Sequence, residues 1–173
     1  MAAYRNGEFN KAIADLDRAI GLDPNDARAY NIRGNAWDYA GAPDRALADY
    51  DAAIRIDPDN PAIFRDRGIM WRREGDLDRA LVDLDRAIRF SFSDASIYSD
   101  RGLIWYAKGR HNRAIADFNQ ALRIDPNSAA ARINRGIILH RGNDFDPAFA
   151  DVDQTIRIDP NIFDVAHRAN SRL

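Results

Sequence analysis

The sequence predicts an all-α solenoid built from antiparallel helix pairs, because several residues recur along the chain at one spacing. An Arg-Gly pair returns every 34 residues, and a tryptophan, an alanine and an Asp-Pro step return in the same period. A fixed period of about 20 to 50 residues is typical of solenoids, in which each repeat packs on its neighbours. The pairs begin at Arg33, Arg67, Arg101 and Arg135, the tryptophans are Trp37, Trp71 and Trp105, and the prolines are Pro24, Pro58, Pro126 and Pro160.

The first half of each unit predicts a helix with one packed face. In residues 27–60, Tyr30, Gly34 and Trp37 are separated by four and three positions, so they share one side of a helix. Glycine costs about 1 kcal/mol of helix propensity relative to alanine, so its recurrence indicates close approach of a second helix. A later glycine ends this first helix as a C-terminal cap. The ends are predicted at Gly7, Gly41, Gly75 and Gly109, with Gly142 one residue early.

The second half of each unit predicts another helix. Its start is predicted at an Asp or Asn, whose side chain accepts hydrogen bonds from free N–H groups. In residues 27–60, Ala46 and Ala53 are the small residues on either side of Tyr50, and the helix ends before Pro58. The predicted starts are Asn10, Asp44, Asp78, Asn112 and Asp146, and the predicted caps of the next first helices are Asp26, Asn60, Asp94 and Ser128.

This pattern resembles the tetratricopeptide repeat, a 34-residue helix–turn–helix unit. The resemblance covers nearly the whole chain, and it implies a right-handed superhelical array that binds proteins or peptides. The departures are Arg132 for an aromatic residue, Thr155 for alanine and Phe92 for proline. Because Phe92 removes the stop, we expect the helix before it to fray or extend, with Phe90 in the core.

The register divides the chain into a partial repeat, four full repeats and a terminal helix. The ranges are 1–26 (a truncated first helix and a second helix), 27–60, 61–94, 95–128, 129–162 and 163–173. Since Met1 falls in the middle of a first helix, Ile13, Leu16 and Ile20 lose part of their packing partner. An exposed apolar patch at this end indicates either a piece of a longer array or a homo-oligomeric assembly module completed there.

A register of arginines and aspartates predicts a ladder of ion pairs between the two helices. A charge that recurs at a half-buried position requires a partner, and the planar guanidinium of arginine suits a carboxylate. The alternative is a row of arginines held for a phosphate ligand, but the aspartates recur in phase with the arginines. The predicted ladder consists of Arg33, Arg67, Arg101 and Arg135 with Asp49, Asp83, Asp117 and Asp151.

The charge distribution predicts an anionic ligand. The first-helix segments carry 14 basic and 5 acidic residues, and the second-helix segments carry 10 basic and 16 acidic residues. The resemblance places first helices on the concave wall, where surplus positive charge attracts anions. We therefore expect an acidic or C-terminal peptide to bind there, with Arg65, Arg72 and Arg73 unpaired. The full set of predicted concave-face residues is Arg28, Asn31, Asn35, Tyr39, Arg65, Ile69, Arg72, Arg73, Ser99, Leu103, Tyr106, Ile133, Ile137, His140 and Arg141.

Composition argues against other classes of function. The net charge of −2 and the pI near 5.9 make RNA binding the weaker alternative, and the chain has no cysteine. No apolar run approaches the ~20 residues of a membrane span, so a cytoplasmic protein is expected. The chain has 23 arginines and only two lysines, a bias that is common in bacterial sequences from GC-rich genomes.

No pattern of catalytic residues is present, so we expect neither an enzyme nor a cofactor. His111 is expected to pack in a turn. His140 and His167 with Asp164 come nearest to a metal site, and we expect no metal there.

Overall fold

The computed structural model describes residues 2–142 and 145–158, with side chains from 8–142 and 146–158. Within these ranges the chain forms nine α-helices and no β-strand, which confirms the predicted all-α repeat fold. The helices are α1 (Ala2–Leu22), α2 (Ala27–Tyr39), α3 (Pro43–Ile56), α4 (Pro61–Arg73), α5 (Leu77–Phe90), α6 (Ala95–Ala107), α7 (His111–Ile124), α8 (Ala129–Arg141) and α9 (Phe145–Ile158). They belong to two compact units, Met1–Phe92 and Ser93–Leu173, which we call unit 1 and unit 2.

The first helices α2, α4, α6 and α8 begin and end where the sequence predicts. Each has a side-chain cap that accepts a hydrogen bond from a backbone N–H in the first turn. Three turn glycines have positive φ, between 70° and 81°, where a side chain would be strained. The capping residues are Asp26, Asn60, Asp94 and Ser128, and the turn glycines are Gly41, Gly75 and Gly109.

The predicted starts of the second helices are wrong by one residue. α3, α5, α7 and α9 each begin one position earlier, and α3 and α7 have no side-chain cap. The turn explains this shift, because the N–H of Ala42 donates to the carbonyl of Trp37 at 2.9 Å, and Asp76 and Arg110 repeat the bond. This hydrogen bond closes a six-residue turn that contains the glycine with positive φ, and the next helix begins directly after the turn.

The predicted break at Gly7 is also wrong, because α1 is one continuous helix from Ala2 to Leu22. A continuous helix satisfies the backbone hydrogen bonds on both sides of Gly7, and a short separate helix is unfavourable to nucleate.

The proline replaced by Phe92 is dispensable for ending α5. We expected α5 to extend or fray, yet it has the same 14 residues as α3 and α7. Its C-cap, Ser91, has φ −143° and ψ 79°, close to the values of Asp57 in α3. Phe92 is exposed, and Phe90 is also 44% exposed and stacks on Phe64, so placing Phe90 in the core was wrong.

A helical glycine packs closely against a ring in two helix pairs, α2 with α3 and α6 with α7. A Cβ built on Gly102 would lie 3.0 Å from two ring atoms of Phe118, and one on Gly34 would lie 3.0 Å from Tyr50. Both rings are fully buried. In the last repeat Val152 replaces the ring, and a Cβ on Gly136 would meet nothing closer than 3.5 Å.

Arg132 is buried at the position that aromatic residues occupy in the other repeats. Its Nη2 donates to the carbonyl of Pro126, while Nη1 has no hydrogen-bond partner. Thr155, the other departure in this repeat, is fully buried and its hydroxyl donates to the carbonyl of Asp151 at 2.8 Å. Each of these two polar side chains thus donates one hydrogen bond to a backbone carbonyl.

The apolar patch expected at the N-terminal end is small among the described side chains. Ile13 is 5% exposed, and Leu16 and Ile20 are half-buried. They pack because α1 contacts α2 directly. A larger set of exposed apolar side chains lies on α8 and α9, namely Ile137, Phe149, Val152, Ile156 and Ile158.

Candidate functional site

The ladder arginines each bind the aspartate of their own repeat through two nitrogens. Arg67 Nε and Nη2 each donate to Asp83 at 2.8 Å. The remaining nitrogen, Nη1, donates to Asp51 of the preceding second helix at 2.6 Å. The same two-nitrogen pairs are Arg33 with Asp49, Arg101 with Asp117, and Arg135 with Asp151.

The second acceptor was missed at the sequence level. It lies two residues after the ladder aspartate of the preceding repeat: Asp17 binds Arg33, and Asn119 binds Arg135. The hydrogen bond with Asp49 is the largest influence on Arg33 and raises the pKa of its guanidinium. Burial alone would lower the pKa of Arg67, but Asp83 and Asp51 outweigh it, so that pKa is raised. Arginines paired in this way are not free to hold a phosphate ligand.

A second periodic contact stacks an arginine on each repeat's tryptophan. The guanidinium of Arg79 lies 4.0 Å from the ring centroid of Trp71. In the other two pairs, Arg45 with Trp37 and Arg113 with Trp105, the guanidinium carbon lies 4.6 Å from the ring centroid. The sequence held a signal for this contact, because the last repeat replaces both partners at once, with Leu139 and Pro147.

Polar side chains connect the first helices of unit 1. Asp66 on α4 accepts hydrogen bonds from Asn31 at 2.7 Å and Asn35 at 2.9 Å, both on α2. Asn35 in turn accepts from the hydroxyl of Tyr50 at 2.7 Å. Asn31 is only 9% exposed, and its Oδ1 is buried with no hydrogen-bond partner. The two predicted ligand-binding amides therefore hold α2 and α4 together, and Asn31 does not face an open groove.

Arg73 is not unpaired as predicted. Its Nη2 donates to the buried carboxylate of Asp38, and its guanidinium lies 4.5 Å from the ring centroid of Tyr39. Tyr39 also stacks on Phe9, at 5.8 Å between ring centroids. Arg65 has an interaction partner too, so it was also wrongly predicted to be unpaired. The sequence could not show the pairing of Arg73, because Asp38 lies one repeat away.

Two cationic side chains of this wall keep no partner among the described residues. Arg28 at the start of α2 is exposed, and Arg72 near the end of α4 is half-buried. Ala62 and Ile69 lie on the same helix as Arg72 and are exposed and half-buried, respectively. We call α2 and α4 with these side chains the unit 1 wall.

In unit 2 the first helices α6 and α8 carry the other predicted residues. Arg141 Nη1 donates to the hydroxyl of Tyr106, the same register as Arg73 with Asp38. The Ser99 hydroxyl donates to the Ala95 carbonyl of its own helix at 3.1 Å, and Leu103 packs against the unit's core. His111 is exposed, and its ring packs on that of Tyr106 at 5.4 Å between ring centroids, so its packing is at the surface. His111 is the first residue of α7, and it remains open to solvent.

An open apolar groove lies between α8 and α9. Its volume is about 340 Å³, and it brings together four of the predicted concave-face residues. The α8 side is formed by Ile133, Gly136, Ile137, His140 and Arg141, and the α9 side by Ala148, Phe149 and Val152. The sequence pointed to the α8 residues, but it did not show that α9 forms the other side.

The described part of the chain contains no group of three or more His, Asp or Glu side chains able to hold a metal ion. His167 and Asp164, which the sequence placed near His140, lie outside the described residues. None of the described helices is both long and apolar enough to cross a bilayer.

Paired helices repeated every 34 residues, joined by ladder contacts, define a helix–turn–helix repeat protein. A family model described as tetratricopeptide repeat matches residues 1–61 and 38–96, and one described as TPR repeat matches residues 102–142. The chain belongs to the tetratricopeptide repeat family.

Solved structures show the same fold. The crystal structure of MamA has a TM-score of 0.78 at 21% identity, covering 90% of this chain and 91% of that one. Pseudomonas aeruginosa PilF has a TM-score of 0.81 at 19% identity, covering 87% and 69%. YrrB, described as a TPR protein with an unusual peptide-binding site, has a TM-score of 0.71 at 24% identity, covering 95% and 84%. A comparison with curated proteins gives no match.

Proposed function

We propose that this chain is a protein-binding scaffold whose unit 1 wall binds an extended peptide that carries carboxylates. The observation that supports this most is the state of Arg28 and Arg72. The ladder arginines, Arg73 and Arg141 all have partners, whereas these two have none among the described residues. A guanidinium without an acceptor on a shaped surface is suited to a carboxylate of a ligand.

The surroundings of Arg72 favour a peptide over a free anion. Asp38 is paired with Arg73, and Asp66 accepts hydrogen bonds from two amides, so both carboxylates are already engaged within the wall. Ala62, which is exposed, and Ile69, which is half-buried, supply apolar area on the same helix as Arg72. The wall thus combines unpaired cations with apolar contact area, which is the chemistry of an acidic peptide.

The comparisons are consistent with this proposal. Tetratricopeptide repeats are in general scaffolds for protein interactions. YrrB, one of the similar structures, is itself described as having a peptide-binding site. The acidic bias is the part of the proposal that rests on this chain alone.

Peptide selection tests the proposal directly. A phage-displayed library of random dodecapeptides would be panned against the full chain, and the selected peptides would be measured by fluorescence anisotropy. We expect enrichment of Asp and Glu, and weaker binding as salt rises, because exposed charges are screened within about 8 Å at physiological salt.

The matched variants are Arg72→Glu on the wall and Arg55→Glu on the second helix α3. Arg55 is exposed, and the two substitutions make the same charge change. Arg72→Glu should weaken binding about fivefold or more, as the loss of an exposed or half-buried ion pair implies. Arg55→Glu should leave it nearly unchanged. Equal effects of the two variants would show that net charge, not this wall, governs binding.

A further inference from the structure

The groove between α8 and α9 is an apolar face of the kind that two earlier repeats cover with the next helix. Phe149, Val152 and Ile156 lie on one stripe of α9, and they are 61%, 40% and 41% exposed. With Ile133 and Ile137 of α8 they form what we call the acceptor face. In the described part of the chain nothing covers it.

The equivalent faces of two earlier repeats are covered by a helix. On α3, Tyr50 is fully buried, and Leu47 and Ile54 pack against the core that it shares with α4. On α7, Phe118 is fully buried, and Ile115 and Leu122 pack against the core that it shares with α8. In each case the covering element is the first helix of the following repeat.

The covering helices share a three-residue pattern. α4 inserts Ile63 and Met70 into the core, and Arg67 between them reaches Asp51 on the preceding second helix. α8 does the same with Ala131, Ile138 and Arg135, which reaches Asn119. The pattern is an apolar residue, an arginine four positions later and a second apolar residue three positions after that.

The acceptor face offers the matching partner for such an arginine. Asp153 on α9 stands at the position of Asp51 and Asn119, is exposed, and has no partner among the described residues. Apolar area beside an unpaired carboxylate complements an apolar helix that carries an arginine.

The chain's own sequence after α9 does not supply that pattern. In the repeat register, Val165 matches the first apolar position. However, Ala169 stands where the arginine is required, and Arg172 stands where the other repeats bury Ala36, Met70, Ile104 or Ile138. An arginine at that position would place a charge in an apolar core.

We propose that the acceptor face binds an amphipathic helix of a partner protein, with an arginine flanked by apolar residues four positions before and three positions after it. This inference rests on the proposed scaffold function, but it concerns a different surface from the unit 1 wall. The partner helix lies across Ile137, Phe149 and Val152 as α4 lies across α3, and its arginine binds Asp153.

A synthetic peptide provides the probe. It has the sequence of residues 60–74 with Gly68→Ala to favour helix, because that glycine faces its own second helix and not the acceptor. Labelled at its N-terminus, the peptide would be titrated with the full chain by fluorescence anisotropy. A second peptide carries Arg67→Glu.

The variants separate the acceptor face from general stickiness. Val152→Asp should weaken binding at least about tenfold, since it places a carboxylate in the apolar contact. Val82→Asp on α5, another exposed valine, should have no effect. Asp153→Arg should weaken the first peptide about threefold and restore binding of the Arg67→Glu peptide, which is a charge exchange that only direct contact explains.

Three results would overturn the proposal. In the first, the Val152→Asp variant binds the peptide as tightly as the parent. In the second, the peptide binds only after the chain is shortened at Ile162, which would make residues 163–173 the occupant. The third is a dimer in light scattering that Val152→Asp dissolves, which would make a second copy the occupant. The Arg72→Glu variant of the full chain should bind this peptide as the parent does. Failure of the acceptor-face proposal would therefore not count against the proposed function of the unit 1 wall.

Discussion

Adding one methyl group at equivalent glycines should have opposite effects in two repeats of the same unit. Gly102 in α6 and Gly136 in α8 occupy the same register position, but their surroundings differ. A Cβ at Gly102 would lie 3.0, 3.0 and 3.3 Å from three atoms of the fully buried Phe118 ring. A Cβ at Gly136 would lie 3.5 Å from the nearest atom, which is ordinary van der Waals contact.

The magnitudes follow from two opposing effects. Alanine gains about 1 kcal/mol over glycine in a helix interior, and this gain applies to both sites. Overpacking a buried ring costs about 1–3 kcal/mol, and it applies only to Gly102→Ala. Gly136→Ala should therefore stabilise by up to about 1 kcal/mol, and Gly102→Ala should be neutral or destabilise by up to about 2 kcal/mol.

Thermal melts followed by circular dichroism at 222 nm measure the difference. For a chain of this length, about 1 kcal/mol corresponds to about 2–4 °C in Tm. Gly136→Ala should melt higher than the parent, and Gly102→Ala should melt below Gly136→Ala by several degrees. If Gly102→Ala raised Tm as much as Gly136→Ala, the ring would not be packed against the glycine, and the reasoning about the helix pair would be wrong.

Further variants test the polar contacts of unit 1. Asp83→Ala leaves Arg67 without its main acceptor and should lower the free energy of unfolding in urea by about 3 kcal/mol. Asp51→Ala removes an acceptor that is 47% exposed and should lower it by less than about 1 kcal/mol. Equal losses would show that the two acceptors contribute alike. Burial raises the pKa of Tyr50 above the unfolded value of about 10, so its contribution is complete below pH 10 and is lost as the pH rises above that value. Between pH 9 and pH 11 the parent should lose more stability than Tyr50→Phe in urea unfolding.

The repeat fold could be predicted from the sequence because its determinants lie within one unit. Gly34, Trp37 and Tyr50 are close in sequence and recur in register, so their common helical faces are visible without coordinates. The helix starts near Pro43 and Leu77 were misplaced because a backbone closure at the turn precedes each helix, and neither Asp44 nor Asp78 is the capping residue.

The candidate site was less predictable because its contacts join neighbouring repeats. Arg73 looked unpaired, since Asp38 lies 35 residues earlier and no local pattern links the two. Asn31 looked exposed for the same reason. The acceptor face required knowing which side of α9 remained uncovered, which depends on the packing of whole helices and not on the spacing of residues along one.

The most direct test of the scaffold proposal is the location of a bound peptide on the unit 1 wall. The isoleucine methyl groups of the full chain would be observed by NMR with and without the acidic peptide selected by panning. The proposal predicts shifts at Ile69 on α4 and Ile32 on α2, with Ile54 on α3 and Ile88 on α5 unchanged. Shifts confined to Ile54 and Ile88 would place the peptide on the second helices and contradict the proposed binding surface.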